Sequence, residues 1–164
     1  IYGTGWRNIS ASRQPGYVFS HWDADGVESV NSASTRIFLT KNIEVTANFR
    51  LVTGADLIGE SVQLGNSWWY SDWFGPFWHR DGDVWIYHSV LGWIFMDMQK
   101  EDLSVWFWVE YLDGWQWTTA NIFPFIHTNS SAAWHWFDQN LSTTKTKLFY
   151  RYDDVTGSGS WIQF

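Results

Sequence analysis

The hydrophobic pattern of the chain changes character near residue 51. Before it, short apolar runs alternate with turn residues at close spacing. Ile9-Ser10-Ala11-Ser12 alternates and Gln14-Pro15-Gly16 turns. Tyr17-Val18-Phe19 is apolar, and Asp23-Ala24-Asp25-Gly26 turns again. Arg36-Ile37-Phe38-Leu39 and Ile43-Glu44-Val45-Thr46-Ala47-Asn48-Phe49 follow, with Lys41-Asn42 between them. This predicts short strands joined by tight turns. No helix-length window carries the 3.6-residue apolar period.

From residue 64 onward one phrase recurs: an aromatic cluster, a short polar break, a Gly or Ala, then more aromatics. It reads Trp68-Trp69-Tyr70 to Gly75-Pro76-Phe77-Trp78, then Trp85-Ile86-Tyr87 to Gly92-Trp93-Ile94-Phe95. It returns as Trp106-Phe107-Trp108 to Gly114-Trp115-Gln116-Trp117, as Phe123-Pro124-Phe125 to Ala133-Trp134-His135-Trp136, and as an echo in Leu148-Phe149-Tyr150 to Ser160-Trp161. The markers Gly75, Gly92, Gly114 and Ala133 are 17, 22 and 19 residues apart. Two strands of five or six residues plus their turns fill about twenty residues. The Gly before each second cluster is expected to supply a positive φ. The fold class predicted is all-β: a small β module at residues 1–51, a junction at 52–63, and an antiparallel aromatic-rich β-hairpin repeat domain at 64–164. Alternation places Trp106 with Trp108, and Trp115 with Trp117, on one face. About two in three tryptophans are expected in the core, and the rest on an exposed aromatic platform, since Trp is rarely fully buried.

Composition sharpens this. Aromatics make up 21% of the chain, with 15 Trp, and there is no Cys. That excludes a disulfide framework, a thiolate metal site and a cysteine nucleophile. The net charge of −7 and the absence of a basic stripe argue against nucleic acid. Val84–Met96 is too short to span a bilayer as a helix, so no membrane insertion is expected. No signal peptide or initiator Met precedes Ile1, which reads as a processed product of a longer precursor.

Pro15-Gly16-Tyr17-Val18-Phe19, Trp22, the Asp/Gly turn and the closing Ile43–Phe49 resemble the divergent internalin-type B-repeat. The resemblance implies a small non-catalytic β module of bacterial surface and secreted proteins. It also implies a strand ahead of Tyr2 for which this chain has almost no residues, leaving an open edge beside Asn8–Arg13. Trp73-Phe74-Gly75 and Leu91-Gly92-Trp93-Ile94-Phe95 resemble a Trp/Gly-rich repeat at the C-terminal ends of large bacterial exoproteins. The half is also loosely similar to choline-binding repeats, whose aromatics cage a quaternary ammonium.

No motif rises above a structural explanation as chemistry. His79-Arg80-Asp81-Gly82-Asp83 offers an acid–base pair but reads first as a hairpin loop. His88 reads as a half-buried, backbone-bonded residue. His127 and His135 have no third ligand at metal spacing. Asp23, Asp25 and Glu28 are an incomplete calcium loop. No metal, no cofactor and no catalytic residue is expected. The residues expected at a ligand or subunit interface are Trp106, Trp108, Trp115, Trp117, Trp161 and Phe164. The function expected is that of an extracellular, cell-surface structural or adhesive protein that assembles as a homo-oligomer or polymer, with residues 160–164 as a strand donated to a neighbour. The alternative is a glycan- or wall-binding module that takes a polysaccharide.

Overall fold

The computed structural model describes residues 4–98, 104–153 and 156–164. Its compact units part between Val52 and Thr53. Strands dominate both, as the alternation predicts.

In the first unit, β1 (Gly5–Ser10) pairs antiparallel with β3 (Ser34–Leu39), and β2 (Tyr17–Asp23) with β4 (Thr46–Leu51). Pro15-Gly16 forms the predicted turn, with Tyr17 N–H donating to Gln14 O at 3.0 Å. The alternating stretch from Ile43 joins the ladder only at Thr46. That residue faces Asp23, where β2 ends, so earlier residues have no strand to pair with. Trp22 and Ile37 are the buried apolar centre. The Trp22 indole N–H donates to Ser32 O at 2.8 Å, which lets a polar atom go inside. The strand position implied ahead of Tyr2 lies outside the described residues.

The second unit opens with a single helical turn, α1 (Gly54–Leu57), whose start is tied by Thr53 N–H donating to the Asp56 carboxylate at 2.8 Å. Eleven strands follow in one antiparallel sheet: β5 (Ser61–Gly65), β6 (Trp68–Ser71), β7 (Gly75–His79), β8 (Trp85–His88), β9 (Gly92–Met96), β10 (Ser104–Trp108), β11 (Trp115–Thr119), β12 (Phe125–Thr128), β13 (Ala133–Phe137), β14 (Leu148–Tyr152) and β15 (Gly159–Gln163). Each strand neighbours only its predecessor and successor, so the sheet is a pure meander. Gly75, Gly92 and Gly114 have φ of 93°, 82° and 83°, as the repeat requires. In the fourth repeat, where the marker is Ala133 rather than Gly, a positive φ falls one residue earlier, on Ala132 at 51°. Ala133 itself is the first residue of β13 and already pairs with Thr128.

The sheet curls. Phe74, between β6 and β7, lies 5.6 Å from Phe123, between β11 and β12. At about 4.8 Å per strand, these loops, five strands apart, would stand about 24 Å apart on a flat sheet. Tyr111, after β10, likewise meets Phe149 of β14 at 6.2 Å. The concave face is therefore closed on itself, and its side chains form the core: Phe77, Ile86, Ile94, Phe107, Ile126, Phe137 and Phe149 are all fully buried. Burying each one stabilises the fold by about 1.5–3 kcal/mol.

This arrangement overturns the expectation that most tryptophans are core. Of the fifteen, only Trp22 and Trp69 are buried. Apart from Trp69 in β6, the strands that carry indoles turn them outward and their smaller apolar or polar residues inward: Trp85-Ile86-Tyr87-His88 alternates half-buried and buried, as does Trp106-Phe107-Trp108. The physical reason is curvature. A tightly curled inner surface has little width per residue, which Phe, Ile, Thr and His fill, while the convex surface spreads and accepts indoles.

Residues 160–164 also differ from expectation. Ser160 to Gln163 pair along their length with β14, and Phe164 exchanges two backbone hydrogen bonds with Lys147. The segment is the last strand of its own sheet and is not a free arm awaiting another subunit.

Candidate functional site

The convex face of the sheet is an aromatic surface built by register. Trp68 stands opposite Trp78, Trp78 opposite Tyr87, and Tyr87 opposite Trp93. The next row runs Trp85, Phe95, Trp108, Trp115. The third runs Trp106, Trp117, His127, Trp134, and the fourth Phe125, Trp136, Tyr150, Trp161. Directly opposed side chains lie within contact distance, and the rings meet mainly edge to face. Trp78–Trp93 are 6.2 Å apart, Trp85–Trp108 6.5 Å, Trp117–Trp134 6.2 Å and Trp136–Trp161 5.9 Å. Such pairs add about 0.5–1.5 kcal/mol each beyond area burial and hold the rings upright. Exposure remains high: Trp93 is 54% and Trp161 52% accessible.

Trp106, Trp108, Trp115, Trp117 and Trp161 thus all lie on this one face, in three of its rows. Phe164 does not join them. It packs against Tyr111 at 5.3 Å and Phe149 at 5.9 Å, at an end of the core. Trp68, Trp78, Trp85, Trp93, Trp134 and Trp136 also lie on this surface but were not singled out from sequence. Parity within a strand does not relate one strand to the next, and only the register brings them beside the residues that were.

One groove on this face is shaped for a ligand. It holds about 480 Å³ and is lined by Trp85, Trp93 and Trp108, by Leu91, Gly92 and Tyr111, and by Glu110 and Lys147. The Tyr111 hydroxyl donates to Leu91 O at 3.1 Å, and burial pushes that phenol up, out of reach of ionisation. The Lys147 ammonium lies 5.7 Å over the Tyr111 ring and donates to Thr144 O at 2.6 Å.

The candidate chemistry weighed from sequence resolves into structure. His79 faces the core, with its Nδ1 3.4 Å from Trp85 O. Asp83 accepts from the Val84 and Trp85 N–H groups and pairs with Arg80 at 3.2 Å, while Gly82 turns with φ 84°. This is a loop holding itself, with no acid–base partner aimed at a cleft. His127 pairs with Trp134 on the convex face and His135 with Ile126 on the concave face, so they point to opposite sides of the sheet. No group of three or more possible ligands converges among the described residues. Glu28 is engaged by Arg36, whose guanidinium holds its carboxyl below the usual range.

Two polar arrangements point inward: His88 is backbone-bonded as expected but buried more fully than expected, and the chain through His135 was not anticipated. His88 Nε2 donates to Phe74 O at 2.8 Å while its Nδ1 accepts from Val90 and Leu91 N–H at 3.1 and 2.9 Å, and burial pushes its pKa down to about 4. It ties the β8–β9 turn to the β6–β7 turn. His135 Nδ1, Thr128 Oγ1 and Gln116 Oε1 form a buried chain with steps of 3.0 and 2.6 Å, and the Gln116 amide donates to Gly114 O at 3.0 Å. Burial, and then the charges of Arg151 and His127, push His135 down to about 4. These groups satisfy one another and stay neutral.

Residues 3–53 match the family model of the divergent InlB B-repeat domain. The match covers the first unit and ends before the aromatic sheet. It marks that unit as a module of the kind borne by bacterial surface proteins. No curated protein and no solved structure matches the chain. No helix among the described residues is long and apolar enough to cross a membrane.

Proposed function

We propose that the chain is a non-catalytic, extracellular surface module that holds polysaccharide on the convex aromatic face of its eleven-stranded sheet. The observation that carries this is the outward placement of the indoles. Ordered rings, half-exposed and upright, are suited to stack on the apolar faces of sugar rings. Contiguous exposed apolar surface beyond a few hundred Å² marks an interaction site, and Trp and Tyr present large rigid contact area at low entropic cost. The first unit supports a location at the cell surface. Retention on insoluble cellulose, chitin and peptidoglycan tests the reading. Wild type is expected to co-sediment with at least one of them. The Trp117→Ala/Trp134→Ala double variant, which removes the ring faces of one row, is expected to be released from it with a melting temperature within a few degrees of wild type. Failure of wild type to bind any of the three refutes the reading.

Self-association is the second reading, and the sheet's ends favour it. Terminal strand β5 exposes Val62 and Leu64, and terminal strand β15 exposes Trp161. Pairing β15 of one copy on β5 of the next is a heterologous contact that extends into a filament unless its rotation closes. Light scattering at micromolar concentration should then show mass growing with concentration, and a Val62→Lys/Leu64→Lys variant should stay monomeric. A wild-type protein that is monomeric throughout that range removes this reading.

A further inference from the structure

We infer that the groove between Trp85, Trp93 and Trp108 is a discrete subsite for a neutral pyranose, one that reads hydroxyl groups through Glu110 and Lys147. The inference rests on the polysaccharide reading and deepens it. The rest of the convex face offers rings, but this groove adds enclosure and two charged hydrogen-bonding groups. Its volume of about 480 Å³ lies within the range of small-molecule sites, roughly 300–1,000 Å³, and has room for a sugar ring and part of the next.

The walls are fixed before a ligand arrives. Trp85 is held edge-on by Phe95 at 5.2 Å and by Trp108 at 6.5 Å. Trp93 is braced by Tyr87 at 5.4 Å and by Trp78 at 6.2 Å, yet remains more than half exposed. At Gly92 a side chain would meet nothing within 4 Å, so the space beside Trp93 is open. The floor is Tyr111, anchored to Leu91 O.

The charged pair selects the ligand. Glu110 is exposed and forms no ion pair or side-chain hydrogen bond among the described residues. Its two carboxylate oxygens can accept from adjacent hydroxyls of one ring. The Lys147 ammonium gives one hydrogen to Thr144 O and keeps two to donate. The groove therefore presents strong acceptors and strong donors with no net charge. A neutral polyol satisfies both. A uronate can pair with Lys147 but also meets the like charge of Glu110, and a quaternary ammonium can pair with Glu110 but also meets the like charge of Lys147 and offers no hydrogen bond, so only a neutral polyol uses both groups without repulsion.

Calorimetric titration of the whole chain with cellotetraose, chitotetraose, tetragalacturonate and tetramethylammonium tests this. One of the two neutral tetrasaccharides is expected to bind, and both charged probes to bind at least tenfold more weakly. Trp93→Ala and Glu110→Ala are each expected to weaken binding at least tenfold, and Glu110→Gln, which keeps an acceptor and loses the charge, by less. Near-unchanged melting curves will show that the variants are folded. Undiminished binding by Trp93→Ala and Glu110→Ala, with wild type still retained on insoluble polysaccharide, overturns the subsite and leaves the wider reading standing. Preferential binding of tetramethylammonium overturns it in favour of a cation cage. Loss of both soluble and insoluble saccharide binding in wild type ends both.

Discussion

Acid should destabilise the aromatic sheet through His88, and by an amount the structure sets. The imidazole is neutral by construction. Its Nδ1 accepts from two backbone N–H groups, so a proton there would face two donors, and its Nε2–H is already committed to Phe74 O. The folded pKa is pushed down to about 4, chiefly by burial, against about 6.5 in the unfolded chain. Between those values the unfolded state binds a proton that the folded state does not. Stability from this group is therefore unaffected above pH 6.5, falls as pH drops through 6.5, and stops falling near pH 4. Each pH unit inside that window costs about 1.4 kcal/mol. Going from pH 7.5 to 5.0 crosses one and a half such units, or about 2 kcal/mol.

The assay is urea unfolding followed by tryptophan fluorescence at pH 7.5, 6.0 and 5.0, for wild type and His88→Gln. A glutamine amide can donate to Phe74 O and accept from the turn, but does not titrate. The variant should be about 1–2 kcal/mol less stable at pH 7.5, because the replaced bonds are longer or fewer. It should then lose about 2 kcal/mol less than wild type on acidification. His135 also titrates low but is present in both proteins and cancels in the comparison. Equal losses in the two proteins would refute the argument, as would an NMR titration placing folded His88 near 6.5.

The division between faces predicts a contrast in stability. Phe107→Ala, at a position 1% exposed on the concave face, should cost about 3–5 kcal/mol in denaturant titrations. Trp93→Ala, a larger truncation on the convex face, should cost about 1–3 kcal/mol, the worth of its two ring contacts at about 0.5–1.5 kcal/mol each. Comparable losses would place Trp93 in a core after all. At the repeat turns, Gly92→Ala has only its positive φ to overcome and should cost about 1–2 kcal/mol. Gly114→Ala also drives a Cβ to 2.8 Å from Ser130 and should cost measurably more by thermal melting.

Much of this was legible because β-structure writes itself at period two. Trp106-Phe107-Trp108 and Trp115-Gln116-Trp117 fix the parity of their strands and so give two same-face pairs, and the strand register then puts both pairs on one side. Parity does not say which side is inside. Trp is highly buried on average though rarely fully so, and the expected share in the core proved too large because the sign is set by sheet curvature, a collective property of eleven strands that no single phrase contains. Phe164 was misplaced for a related reason. It was read as part of a terminal segment donated to a neighbour, whereas its backbone pairs with Lys147 of the same chain and its ring packs against Tyr111 and Phe149. The groove was invisible for a third reason. Glu110 and Lys147 are far apart in sequence, and only the curl brings β10 and the residue before β14 to one rim.

The core itself does not account for the tryptophans. Phe77, Ile86, Ile94, Phe107, Ile126, Phe137 and Phe149, with the neutral polar residues between them, fill the concave side to full burial. The convex positions need only be compatible with a strand, and Thr, Val or Tyr would meet that need at less cost in wetted apolar area. An indole left half in water gains little for folding and promotes association when the chain is concentrated. A net charge of −7 offsets that tendency by keeping copies apart at a distance, while leaving short-range stacking on an uncharged partner undisturbed. The combination of an acidic surface with a neutral, donor-and-acceptor groove among upright indoles therefore favours an uncharged polyhydroxylated ligand over nucleic acid or an acidic polymer. Salt separates these cases. Retention on polysaccharide should change less than twofold between 50 mM and 500 mM NaCl, because no counterions are released on stacking. A steep loss of retention across that range would mean that charge, and not the aromatic face, holds the ligand.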